Sequence, residues 1–195
     1  SRSAGQFGAW QERHFAAKRC PMIQNPQMIP AWIDGALAPL DKLEVHMRGI
    51  KHRAVSVFVM AGDQILLQRR ALAKYHTPGL WANTCCTHPL WGEAPRDCAQ
   101  RRLAQELGIT GLDPVWKQEV EYRADVGGGM TEHEVVDLFV AEAPADLDFE
   151  ANPDEVMETV WMSREALEAD IAARPEAYTP WLRIYMADHP SAIFG

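Results

Sequence analysis

The strongest constraint on the fold is a strand-forming run at 54–60, AVSVFVM, followed across the break AGD by a second β-rich run at 64–70, QILLQRR. Two such runs across so short a break read as a β-hairpin. Strands and helices then alternate. PRDCAQRRLAQELG at 95–108 opens on Pro, repeats Ala99, Leu103 and Leu107 at a spacing of four and stops at Gly108. That is how a short amphipathic helix is punctuated. VEYRADV at 120–126 and EHEVVDLFVAEA at 132–143 flank a glycine turn as a second hairpin, and VMETVWMS at 156–163 predicts a further strand. Two helical stretches follow, 164–178 and 180–189, the second started by Pro180. No internal repeat or low-complexity tract interrupts the pattern. The expected fold class is α/β (α+β), one mixed sheet with helices on its faces.

With 195 residues and 47% apolar content, the chain supports one domain with a real core and not two. We expect a single domain over 28–195. Residues 1–27 show no sustained period and do not begin with Met, and read as a flexible arm, a cloning remnant or a misassigned start. A net charge of −8 speaks against a general binder of nucleic acid or anionic membrane, so a phosphate ligand has to meet a local basic cluster. No run of eighteen apolar residues and no signal-type segment is present, which gives a cytoplasmic expectation. The four cysteines, Cys20, Cys85, Cys86 and Cys98, are too few and too clustered for a secreted disulfide framework and read as free thiols.

Strand alternation sends Glu132 and Glu134 to the same face as Val136, Leu138 and Val140. Such a pair is either a frayed strand end in water or a buried pair that needs a metal or a cation. His46, His52 and His88 come from separate places, the first two on an expected loop before the first core strand. Each alone reads as a surface or core histidine, and together with the two acids they make a plausible mixed site for a divalent metal, zinc favoured by imidazole and manganese or magnesium by carboxylate. Arg102 and Glu106 share a helix face, as a surface ion pair or as a phosphate-binding arginine beside a carboxylate that holds a hard cation. Lys42, Arg69, Arg70 and Lys74 are candidates for the basic cluster. In LWANTCC the two cysteines point to opposite faces, one as buried filler and the other free to face a site, and the spacing to His88 is not that of a zinc ribbon or a redox motif.

Taken together, KLEVHMRGIKHRAVSVFV, LLQRRALAKYHTPGLWANTCCTHPLWGE, RRLAQELGI, EYRADV, EHEVVDLFVA and DEVMETVWMS closely resemble the type 1 isopentenyl diphosphate isomerases, over about 28–186 and in the family's order. Those enzymes share the Nudix fold, a mixed sheet sandwiched between helices. The general Nudix signature overlies 87–109, with Thr87 in place of its Gly, and with Glu93, Arg101, Leu103, Glu106, Gly108 and Ile109 in agreement. Arg102 and Gln105 replace two of the acids that hold a hydrolase's metals, which weighs against pyrophosphate hydrolysis.

The resemblance implies roles. Cys86 and Glu134 match the family's catalytic cysteine and glutamate, assisted by Tyr122. His46, His52, His88, Glu132 and Glu134 match its metal site, for manganese, magnesium or zinc. Glu106 matches the residue holding Mg2+ at the substrate diphosphate, and Lys42, Arg70, Lys74 and Arg102 match the diphosphate contacts. Trp181 matches the active-site tryptophan, while Trp81 is expected to line the pocket. The implied reaction adds a proton to isopentenyl diphosphate and removes another two carbons away, through a tertiary carbocation, giving dimethylallyl diphosphate for isoprenoid synthesis. Glu134 and Tyr122 are expected to deliver the proton and Cys86 to accept the other as thiolate. Expected partners are the small diphosphate substrate alone, without nucleic acid or membrane, in a monomer or weak homodimer. The competing readings are a Nudix-type pyrophosphohydrolase and a non-catalytic regulator that binds metal or diphosphate.

Overall fold

In the computed structural model, residues 27–195 are described. The arm expected over 1–27 thus falls outside the described residues except for Gln27, as does Cys20. The first elements are ones the sequence reading passes over. Strands β1 (Met28–Ile33) and β2 (Ala36–Asp41) form a hairpin closed at Asp34-Gly35, both with positive φ. Asn-Gly or Asp-Gly pairs favour that turn because both central residues must adopt left-handed backbone. Pro30 lies opposite Pro39 in this pair, and among the described residues β2 has no second neighbour. Asp41 then caps helix α1 (Lys42–Arg48), its carboxylate accepting from the Leu43 and Glu44 amides at 3.0 and 3.1 Å.

The central strand β3 (His52–Ala61) turns into β4 (Gln64–Arg70), as the hairpin signal predicts, but only two residue pairs join them. Beyond the turn they part. β3 takes β8 (Met130–Glu142) as a parallel neighbour and β6 (Cys85–Thr87) as an antiparallel one, while β4 pairs with β5 (Trp81–Ala82) and β9 (Val156–Ser163). β7 (Val115–Gly127) and β8 make the long second hairpin. The result is one nine-stranded mixed sheet.

Each face of the sheet carries its own core. Ala54, Phe58 and Met60 of β3 join Val136, Leu138 and Val140 of β8 on one face. There they pack under Leu167 of α3 (Arg164–Ala173), Trp181, Leu182 and Tyr185 of α4 (Pro180–Asp188) and Ile193 of α5 (Pro190–Phe194). Val55, Val57 and Val59 face the opposite way, against Cys98, Ala99, Leu103 and Leu107 of α2 (Pro95–Leu107). A strand buried on both faces must be apolar at nearly every position, which explains the unbroken run at 54–60. The helical stretch expected over 164–178 is interrupted. α3 ends at Ala173 and a 3₁₀ turn covers Pro175–Ala177, because Pro175 has no amide to continue an α-helix and disfavours helical backbone before it. No helix among the described residues is long and apolar enough to cross a membrane.

Gly108 caps α2 at φ +66°, and a Cβ there would lie 2.6 Å from the Glu150 carbonyl oxygen. Gly62, at φ +62°, has nothing within 4 Å of the same point. Gly108→Ala is therefore expected to destabilise the fold by about 1–3 kcal/mol in urea titration, and by more than Gly62→Ala, which carries the backbone strain without the collision. Equal losses would show that the Glu150 contact is immaterial.

Candidate active site

Strand register assembles the site. The parallel pairing of β3 with β8 sets His52 opposite Glu134, and the antiparallel pairing of β7 with β8 sets Tyr122 opposite the same glutamate and Ala124 opposite Glu132. α1 brings His46 in from the side, and His88 follows β6. His46 and His52 thus sit on a helix and at the head of a strand, not on the loop expected from sequence. The Nδ1 atoms of His46 and His52 lie 2.6 and 2.7 Å from the carbonyl oxygens of Lys42 and Ile50. A carbonyl only accepts, so each Nδ1 carries the hydrogen and each Nε2 offers a lone pair.

These lone pairs converge. His52 Nε2 lies 3.2 Å from His88 Nε2 and 3.3 Å from Glu134 Oε1, and His88 Nε2 lies 2.8 Å from that same oxygen. Ligand atoms of His46, His52, His88 and Glu134 all fall within 4.8 Å of one another. His46 Nε2 is buried without a hydrogen-bond partner. Burial and the neighbouring His52 push the His46 imidazole down to about 4, and burial holds His88 well below the usual histidine range. Neutral imidazoles facing one carboxylate, with a nitrogen lone pair left over, are a donor set that fits a divalent metal.

Of the five ligands expected from sequence, Glu132 stands apart. It groups with His46 and with His76, a residue the sequence reading did not select. Tyr122 ties the two carboxyl groups together, its hydroxyl oxygen 2.8 Å from Glu132 Oε2 and 2.6 Å from Glu134 Oε2, so that its single hydrogen can serve one of them while its oxygen faces the other. Burial and the Glu134 charge push Glu132 well above the carboxylate range. Burial acts on Glu134 the same way, but the His52 and His88 imidazoles packed against it outweigh burial and hold that group well below.

β6 lies antiparallel to β3 with Ser56 opposite Cys86 and Val57 opposite Cys85. Cys85 is buried in the α2 core, while Cys86 packs on the other face, with the glutamates. Burial, then Glu134 and Glu132, push the Cys86 thiol well up.

The basic cluster forms beside this face. Glu106 is buried on α2, where Oε1 accepts from Arg102 Nη2 at 2.5 Å and Oε2 accepts from Gln68 Nε2 at 2.9 Å. Arg102 also lies 3.6 Å from Glu155, which pairs with Lys74. The pair Arg102–Glu106 is thus a half-buried interaction at the site and not an isolated surface bridge. Burial, Arg102 and Arg70 lower Lys42, and burial lowers Lys74 to about 8 despite Glu106. Burial is the largest cause of both shifts. Arg69 turns away, its Nε donating to the Gly79 carbonyl at 2.9 Å. Arg70 faces in, its guanidinium 5.3 Å from the buried Trp181 ring. Trp81 is half-buried against the same core, and its carbonyl accepts from the Thr179 amide at 2.9 Å. Arg101 grips Glu93 with two hydrogen bonds, 2.6 and 2.8 Å, fastening the start of the signature loop to α2.

Sequence reasoning missed His76, Gln68, Glu155 and Tyr185. Gln68 is buried on β4, but it stands beside Arg69 and Arg70 after the apolar run 65–67, so nothing in the sequence singles it out. His76 and Glu155 lie in irregular segments where no period distinguishes them. Tyr185 hides in a helix as an ordinary core aromatic, and its hydroxyl is buried without a partner.

The NUDIX domain family model matches residues 50–182. Among solved structures, a Deinococcus radiodurans protein superposes with a TM-score of 0.65 at 16% identity, covering 82% of this chain and 96% of that one. A MutT NUDIX hydrolase from Burkholderia pseudomallei superposes with a TM-score of 0.56 at 21% identity, covering 71% and 98%. At such identities the likeness speaks to fold alone. Curated relatives are much nearer in sequence. An isopentenyl-diphosphate Delta-isomerase of Dinoroseobacter shibae is 66% identical over 86% of this chain and 96% of its own length. One of Cereibacter sphaeroides is 64% identical over 87% and 96%. Identity at that level, across nearly the whole of each relative, places this chain in the isopentenyl-diphosphate Delta-isomerase family, on a NUDIX domain.

Proposed function

We propose that this chain converts isopentenyl diphosphate to dimethylallyl diphosphate by adding a proton at the terminal alkene carbon and removing one from the carbon two positions away. The observation that carries this reading is the placing of Cys86 and the Tyr122–Glu134 pair on one face of the sheet, in the core that also buries Trp181. No atom is gained or lost overall, so the reaction needs one acid, one base and a dry pocket for the cation between them. Cys86 and Glu134 with Tyr122 are the two proton-handling groups, each acid in one direction of the reversible reaction and base in the other. Glu132, pushed up by burial beside Glu134, holds a proton one hydrogen bond from Tyr122. Trp181 offers an electron-rich wall for the tertiary cation.

The diphosphate is assigned to the basic cluster. Arg102 and Lys74 pair with Glu106 and Glu155, and Lys42 and Arg70 lie close enough to act on the same group of charges. Glu106 would hold a magnesium ion at the diphosphate, with Gln68 fixing its second oxygen. His46, His52, His88 and Glu134 would hold a second divalent ion, manganese, magnesium or zinc. When bound, that ion supplies a fixed positive charge beside Glu134. The hydrolase alternative is disfavoured because two signature acids are Arg102 and Gln105, and the Gln105 side-chain oxygen accepts from Arg101 and Arg102, each at 3.1 Å.

Proton and phosphorus NMR of the protein with magnesium and isopentenyl diphosphate in deuterated water tests the reading. Dimethylallyl diphosphate carrying deuterium, with no phosphate released, is expected; phosphate release without a moved double bond would establish hydrolysis instead. Cys86→Ala and Glu134→Gln are each expected to lower turnover by about 10²–10⁴-fold with the circular dichroism of the fold retained. A fully active Cys86→Ala enzyme would sink the proton-transfer assignment. Metal should also be visible in stability. An ion at about a hundred times its Kd adds about 2.7 kcal/mol, so chelation should lower the melting temperature of the wild type and leave that of His52→Ala nearly unmoved.

A further inference from the structure

His76 faces the carboxyl group of Glu132, which the resemblance counts among the metal ligands. The two residues are 5% and 2% exposed, so neither can turn to open water for a partner. His76 Nε2 lies 3.4 Å from Glu132 Oε1, while Glu132 Oε2 lies 2.8 Å from the Tyr122 hydroxyl oxygen. The head group of Glu132 is thus flanked by two polar groups from different parts of the chain, one at each oxygen. The His76 ring is itself held on several sides. It stacks on His46 with centroids 5.4 Å apart, and meets Trp181 edge-on at 6.0 Å and Tyr75 at 4.5 Å. Its carbonyl accepts from Arg70 Nη2 at 3.2 Å, which ties this irregular segment to the end of β4.

Thr77 decides which way the ring donates. Burial, and after it the Arg70 charge, push the imidazole far down and keep it neutral, so it carries one hydrogen. Nδ1 lies 3.2 Å from Thr77 Oγ1. A hydroxyl that donates there leaves the ring hydrogen on Nε2, aimed at Glu132. Thr77 sits at φ +47°, left-handed backbone that a β-branched residue seldom adopts, directly before Pro78. Strain of this kind persists only where the surroundings over-determine it, and here it fixes the hydroxyl beside an inward-facing imidazole.

We propose that His76 is a positioning residue for metal binding: its Nε2 hydrogen, directed by Thr77, steers the Glu132 carboxylate onto the ion held by His46, His52, His88 and Glu134. Partners of this kind fix the orientation of a ligating group and tighten binding without touching the ion. The proposal rests on reading that group as the site of the resident ion, with Glu132 joined to it as the resemblance implies. It goes beyond that reading by giving roles to His76 and Thr77, to which the resemblance assigns none.

Withdrawal of manganese(II) from the loaded full-length chain by a calibrated chelator, with released metal read by electron paramagnetic resonance, tests it. His76→Phe keeps the bulk of the ring and removes its hydrogen, and is expected to weaken binding about 10–100-fold. His76→Gln, whose side-chain amide donates from a similar place, is expected to recover most of that loss. Thr77→Val keeps the β-branched shape without the hydroxyl, and is expected to weaken binding in the same direction. Excess manganese should restore the turnover of His76→Phe, since the residue acts through the metal ligand. A folded His76→Phe protein of wild-type affinity, or a His76→Gln protein that binds no better than His76→Phe, overturns the positioning role. Wild-type affinity in Thr77→Val overturns the part given to Thr77, and decides the whole proposal should His76→Phe fail to fold. A wild type that holds no manganese, or an affinity indifferent to His52→Ala, defeats the resident-ion reading itself and this proposal with it.

Discussion

Nine consecutive residue pairs hold β3 parallel to β8, from His52 with Glu134 to Met60 with Glu142, and the rest of the molecule depends on that register. In a parallel pair, facing residues point to the same side, so the register that buries Phe58 beside Val140 also sets an imidazole beside a carboxylate at the open end. A slip of one residue would turn every side chain of one strand to the other face. The apolar pairs along the middle of the strands would oppose it, because both faces are buried. Hydrophobic packing thus fixes the position of the polar groups at no cost to itself.

The charged groups are arranged by the same economy. A chain of net charge −8 still sets Arg102 and Lys74 on Glu106 and Glu155, while Glu132 and Glu134 lie buried side by side with one phenol between them. Unlike charges are used to hold a helix against the loops around it, and like charges are crowded where a ligand is to relieve them. Both arrangements are costly in the absence of a partner, since a buried charge without compensation is among the largest single penalties in a fold. The folded chain is therefore shaped around what it binds.

Much of this was legible in the sequence. The strand limits at 64–70 and 156–163, the α2 boundaries and the opposite facing of Cys85 and Cys86 follow from period and punctuation, and the structure agrees with each. The β1–β2 hairpin was signalled by Asp34-Gly35 and passed over, since Pro30 and Pro39 make its strands look like loop. The convergence of His46, His52 and His88 was not readable from spacing, because they come from α1, from β3 and from the segment after β6, and only the parallel pairing of β3 with β8 brings them to Glu134. The ordered motif set supplied it. His76 had no such support, as an irregular segment has no period against which an inward-pointing side chain stands out.

The outer edge of the sheet shows how the fold guards itself. Among the described residues β2 has a neighbour on one side only, and it is six residues long, closed at one end by a tight turn and at the other by the residue that caps α1. Pro39 removes one of its few backbone donors. A strand so brief and so poor in amide hydrogens is a weak template for another chain, which keeps neighbouring molecules from zipping together edge to edge at high concentration. Pro39, one of the two prolines that obscure the hairpin from a reader of the sequence, thus limits pairing along that edge.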